Sequence, residues 1–119
     1  TGKDFWTLDR GSAKPSHSTP CIYKTSGGDE QIIFTSDAHG IYAVDPKNGE
    51  VQWESGADTF DKRCVLSPVL AGGQILGTCG SGGGGNYIVA VTPPESGKGT
   101  PKVAYEVRKA APYVPTSVI

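Results

Sequence analysis

Methionine is absent from this 119-residue chain, even at position 1, which gives the N-terminus the look of a processed or cut end. No apolar run reaches the length of a membrane-spanning helix. Charge of one sign is missing too: 11 Lys and Arg face 12 Asp and Glu, a formal net charge of −1. With no basic run, a surface that tracks phosphates is excluded, and so is a cationic helix lying on a membrane. Only three cysteines occur, Cys21, Cys64 and Cys79. None makes a C-x-x-C pair, and neither histidine stands at a ligand spacing from them. Zinc and c-type haem sites therefore have no basis here. Helical signals are lacking as well: no stretch combines a 3.6-residue apolar period with caps.

What is present is glycine, 17 residues, about twice the usual share, and a repeat. Trp6 and Trp53 lie 47 residues apart, as do "IYAVDP" (41–46) and "IVAVTP" (88–93). "STPCI" (18–22), "LSPVL" (66–70) and "PTSVI" (115–119) align, with Thr19, Ser67 and Thr116 separated by 48 and 49. Gln31-Ile32-Ile33 aligns with Gln74-Ile75-Leu76 at 43, because "KTSGGDE" is a longer turn than "AGG". The anchors agree on a period near 48.

Each period reads as four short strands between turns. The first unit gives "HSTPCIYK", "QIIFTS", "IYAVD" and "VQWES". The second gives "RCVLSPVL", "QILGTC", "NYIVAV" and "KVAYEV". Four strands in 40–50 residues is the signature of a β-propeller blade, so the expected fold is all-β, with about two and a half four-stranded antiparallel blades. Residues 1–10 read as the last strand of a preceding blade, 16–56 and 64–109 as blades, and 112–119 as the first strand of a following one. The chain thus looks like a segment of a longer repeat protein. Pro20 and Pro68 fall in the first strand of each unit. Proline donates nothing to a ladder, so those strands are expected at sheet edges.

The repeat resembles that of the pyrroloquinoline-quinone-type (PQQ-like) β-propellers, whose docking pattern runs A-x-D-x-x-T-G-K-x-x-W. Ala43, Asp45, Gly49 and Trp53 match it in place, with Asn48 for the threonine and Glu50 for the lysine. Thr1-Gly2-Lys3 and Trp6 match its second half. In the next unit Ala90 matches, Thr92 stands for the aspartate, and Tyr105 replaces the tryptophan. The resemblance implies that Gly2 and Gly49 serve tight turns, that Asp45 accepts turn hydrogen bonds, and that Trp6 and Trp53 lock adjacent blades. Ordinary core packing of the two indoles is the plain alternative.

Other constellations are weaker. Asp58, Asp61, Lys62 and Arg63 read as a solvated inter-blade loop, or as the rim of a channel mouth. "CGSGGGGN" (79–86) lacks the Lys-Ser/Thr and the helix of a phosphate loop and reads as a long turn between strands. His17 and His39 have no carboxylate at a telling spacing. Ser67 and Ser81 lie in no nucleophile elbow.

In function, the resemblance implies a non-enzymatic scaffold or binding module that acts in protein–protein interaction, periplasmic or secreted, with no catalytic, cofactor or metal residues in these blades. The alternative is a fragment of a PQQ-dependent alcohol or sugar dehydrogenase, and only then are PQQ and calcium expected. Partners would be another protein or the rest of a propeller, with oligomers through the terminal strands, but no nucleic acid and no membrane span. Finally, Cys64 and Cys79 flank the turn "AGGQ" at similar distances. An antiparallel hairpin would bring them together, so a Cys64–Cys79 disulfide is expected, with Cys21 free and buried. The bond would fit an oxidising compartment.

Overall fold

The structure, a computed structural model, describes residues 2–115, 117 and 118. Its regular elements are all strands: β1 (Cys21–Lys24), β2 (Glu30–Ser36), β3 (Gly40–Val44), β4 (Val51–Glu54), β5 (Val69–Ala71), β6 (Gln74–Cys79), β7 (Tyr87–Thr92) and β8 (Lys102–Val107). They form two four-stranded antiparallel sheets in the orders β1-β2-β3-β4 and β5-β6-β7-β8. The protein is all-β, built of two blade-like sheets that do not close into a ring. Among the described residues no helix is long and apolar enough to cross a membrane.

The two sheets repeat one another in register. Ala43 pairs with Trp53 beside a shift at Ala43/Val44, and Ala90 pairs with Tyr105 beside a shift at Ala90/Val91. Thr35 pairs with Ile41, and Thr78 with Ile88. A bulge at the same point of each outer strand turns the aromatic toward the same face. Alternation then sorts the side chains. One face of the first sheet carries Ile33, Ile41, Ala43 and Trp53. It packs on Ile75, Val89 and Val91 of the second, together with Phe60, Cys64, Cys79 and Tyr87. The core is therefore the seam between the sheets. Gly77 sits at its centre, where an added Cβ would come within 2.9 Å of Ile41 and Phe60, so only glycine allows this approach.

Pro20 and Pro68 stop just short of β1 and β5, both of which are edge strands. The expected eight-residue first strands shrink to four and three residues, since the prolines have no N–H for a ladder. A single bridge, Arg63 to Gly80, extends the second sheet beyond β5.

Two expectations at the ends are corrected. Residues 2–10 form no strand, and neither do the described residues of 112–119; Thr1, Thr116 and Ile119 lie outside the described residues. A strand requires a partner ladder, and neither segment is paired into a sheet. Residues 2–20 instead run over the first sheet as an irregular strap. Trp6 holds one end of it, Arg10 is ion-paired with Glu54 and stacked on Tyr42, and Ser16 and Ser18 donate to the carbonyl of Thr35.

Candidate functional site

The residues of the docking pattern meet at the turns between third and fourth strands. In the turn after β3, Asp45 Oδ1 accepts the Lys47 N–H at 2.8 Å, and Asn48 Oδ1 accepts the Glu50 N–H at 2.9 Å. The Gly49 N–H donates to the Asp45 carbonyl at 2.8 Å. These Asx-type bonds close the turn locally, and Gly49 supplies its φ of +74°. The Trp6 ring lies directly on Gly49: a Cβ there would meet Trp6 Cε3 at 2.5 Å. Trp6 Nε1 donates to the Pro46 carbonyl at 2.8 Å. Stacking and hydrogen bond together fasten the strap to the turn. Gly2, at φ +70°, has open space around it.

Trp53 is handled differently. It is 2 % exposed, and its Nε1 donates to Gln31 Oε1 at 3.0 Å. Gln31 Nε2 then donates to the Gly97 carbonyl at 2.7 Å. The indole thus reaches the β7–β8 turn through a buried amide. The Gly99 N–H donates to the Gln52 carbonyl, and Ser26 Oγ to the Glu95 carbonyl, across the same seam. Sequence reasoning used Gln31 only as a repeat anchor and missed this role. Nothing local marks it, since β2 also carries the polar Glu30, Thr35 and Ser36.

Beside the relay is a cavity of about 410 Å³. Thr25, Gln31, Asp45, Lys47, Gln52 and Lys98 are among the residues that line it. Its lining is polar and of mixed charge.

The inter-blade loop forms a second cluster. The Asp61 N–H donates to the Tyr87 hydroxyl at 3.0 Å, and that hydroxyl lies 3.1 Å from Asp61 Oδ1 and 3.2 Å from the Thr59 carbonyl. Desolvation opposes ionisation of Asp61, but hydrogen bonds from Lys62 and Tyr87 outweigh it and hold the carboxyl below its ordinary value. Burial pushes the Tyr87 phenol well up. Arg108 caps the Tyr87 ring at 4.3 Å. Asp58 and Arg63 stay outside this network; Arg63 is exposed and holds the bridge to Gly80. The 79–86 loop is closed on itself: Ser81 Oγ donates to the Gly84 carbonyl, and Asn86 Oδ1 accepts the Ser81 N–H. His39 Nε2 lies 3.0 Å from the Arg10 carbonyl, and the His17 N–H donates to the Cys64 carbonyl. The His39 ring thus lies against backbone of the strap, whereas His17 is exposed and only its main chain is bonded. Among the described residues no group of three His, Cys, Asp or Glu is arranged to hold a metal ion.

The expected Cys64–Cys79 disulfide is corrected: all three cysteines are free, and Cys21 is only half-buried. The Arg63–Gly80 bridge does bring Cys64 and Cys79 into neighbouring positions. The side chains go elsewhere. Cys64 is beside Thr35 of the first sheet, and Cys79 Sγ lies 3.9 Å from Asp61 Oδ1. Burial, with smaller effects from Cys79 and Asp37, pushes the Cys64 thiol up to about 12. Burial raises Cys79 as well. Such thiols stay protonated and unreactive at neutral pH.

The architecture is that of an all-β protein with two blade-like four-stranded sheets. No protein-family model matches the chain, and no curated protein is significantly similar to it.

Proposed function

We propose that this chain is a non-enzymatic scaffold of the PQQ-like propeller type, acting in protein–protein interaction outside the cytoplasm. One observation carries the reading: the polar and aromatic groups of the docking pattern are spent on holding the fold together. Asp45 caps a turn, Trp6 bonds to Pro46, and Trp53 is tied through Gln31 to Gly97. An aspartate whose carboxylate accepts the Lys47 backbone N–H in a closed turn is a poor general base, and the buried Trp53 indole offers no face to a ligand. The loops between strands are then the surface offered to partners. The periplasmic or secreted location rests on the resemblance alone, since the thiols are free.

The test is a spectrophotometric titration of the protein with PQQ and calcium. The scaffold reading expects no saturable change in the quinone band. A saturable change, with quinone-dependent oxidation of an alcohol or sugar, would favour the dehydrogenase alternative.

A further inference from the structure

The turn after β7 is built as a flap fixed to the first sheet. Pro93 and Pro94 open it and Pro101 closes it, so proline restrains the backbone at both ends. Three hydrogen bonds at alternate residues clamp it. The Glu95 carbonyl accepts Ser26 Oγ, the Gly97 carbonyl accepts Gln31 Nε2 at 2.7 Å, and the Gly99 N–H donates to the Gln52 carbonyl. Glycine at 97 permits the close seat: its φ is +75°, and a Cβ there would come within 3.2 Å of Thr25 and 3.3 Å of Gln31. The cavity of about 410 Å³ is lined by this flap and by the turns after β1 and β3.

That lining combines buried polar groups with charges of both signs. Thr25 and Gln31 are at most 9 % exposed. Among the described residues, Asp29, Asp45, Lys47 and Lys98 form no ion pair, and the third acid, Glu30, has only Lys24 at 4.0 Å. Asp45 Oδ1 accepts the Lys47 N–H, while Oδ2 makes no hydrogen bond among the described residues. A wholly anionic ligand would meet these acids, and a wholly cationic one the two lysines; like charges brought together cost affinity. An apolar ligand would strip water from polar groups and return no hydrogen bonds. A ligand that carries both charges answers both sets. At about 30 Å³ per non-hydrogen atom, the share of a water in the liquid, the cavity holds roughly a dozen such atoms. That is the size of a larger amino acid or a dipeptide. We infer that this cavity binds a small zwitterion of the amino-acid class, with its carboxylate toward Lys47 and Lys98 and its ammonium toward Asp29 and Asp45. The bound molecule bridges the flap of the second sheet and the turns of the first. Nothing in this site depends on whether a quinone binds, so it and the scaffold reading fail separately.

The test is a titration of the ¹⁵N-labelled chain at neutral pH with two zwitterions, free glutamine and the dipeptide alanyl-alanine. The N-acetylated dipeptide, an anion, and the dipeptide amide, a cation, are the controls. Saturable shifts are expected at the Gly28, Gly97 and Lys98 amides, and at the Trp53 Nε1–H through its bond to Gln31. Each one-charge form should bind at least tenfold more weakly than the dipeptide. Tighter binding of glutamine or of the dipeptide identifies the source, free amino acid or peptide, and either supports the site. Lys98→Gln and Asp29→Asn change exposed side chains that make no hydrogen bond among the described residues. Each should weaken the zwitterion severalfold and leave the urea midpoint unmoved. The proposal is overturned if neither zwitterion gives saturable shifts at millimolar concentration, if the shifts fall away from the cavity, or if the one-charge forms bind as tightly.

Discussion

Replacing Trp53 with alanine tests the seam at its most loaded point. The side chain is 2 % exposed and faces the second sheet beside Ala43. Burying an indole removes about 150–250 Å² from water, worth about 4–6 kcal/mol at 25 cal/mol/Å². Measured truncations of large buried aromatics cluster at about 3–5 kcal/mol, because the surroundings relax in part. Trp53→Ala also leaves Gln31 Oε1 without its donor, a buried acceptor whose desolvation costs about 1–3 kcal/mol unless water enters. The expected loss is therefore about 3–5 kcal/mol, a large share of the stability of a domain this size. Trp53→Phe keeps a buried six-membered ring but removes the pyrrole part of the indole with its N–H, so it should cost less than Trp53→Ala, about 1–3 kcal/mol. Urea unfolding followed by circular dichroism measures both, and Trp6 fluorescence gives a second probe of the same transition. A loss below about 1 kcal/mol for Trp53→Ala, with unchanged m-value, would refute the claim that the indole holds the sheets together.

Further outcomes follow from the same geometry. Gly49→Val forces a β-branched residue to φ +74° and drives its Cβ into Trp6, so it should destabilise by about 1–3 kcal/mol. In a Trp53→Phe background it should also shift Trp6 emission to the red. Stability should fall in alkali. The Cys64 thiol stays neutral in the native state up to about pH 12, while an unfolded cysteine ionises near 9. The unfolded chain then binds fewer protons, so stability is intact below pH 9 and is lost between 9 and 12, by up to about 4 kcal/mol from this group. Cys64→Ala should flatten that slope in alkaline denaturation curves, leaving the part due to Cys79 and Tyr87. Alkylation in denaturant without reductant should label three thiols, and under native conditions Cys21 should react first; a mass two hydrogens light, with one labelled thiol, would restore the disulfide.

Much of the fold was legible because it is local. The recurrence of "IYAVDP" and "IVAVTP" located β3 and β7, and the alignment of Trp53 with Tyr105 matches the cross-strand pairs with Ala43 and Ala90. Asp45 and Gly49 were readable because their bonds lie within a few residues. The Trp53–Gln31–Gly97 relay was not, since it joins residues 66 apart through a side chain with no local signal. The ends were expected as strands from their alignment with the repeat, which does not supply a partner ladder. At the cysteines, spacing gave the neighbouring positions of Cys64 and Cys79 but not the direction of the thiols, which tertiary contacts with Thr35 and Asp61 decide.

Two indole N–H groups hold the molecule together, that of Trp6 fastening the strap and that of Trp53 joining the sheets through the Gln31 amide, and hydrogen exchange at these two protons reports on both. In a two-dimensional ¹⁵N spectrum in D₂O, the Trp53 Nε1–H should persist and exchange only through unfolding of the seam. The Trp6 Nε1–H should exchange faster but well below the free-indole rate, since it is bonded at a half-buried site. A Trp53 indole proton that exchanges at the free rate in the folded protein would contradict the account.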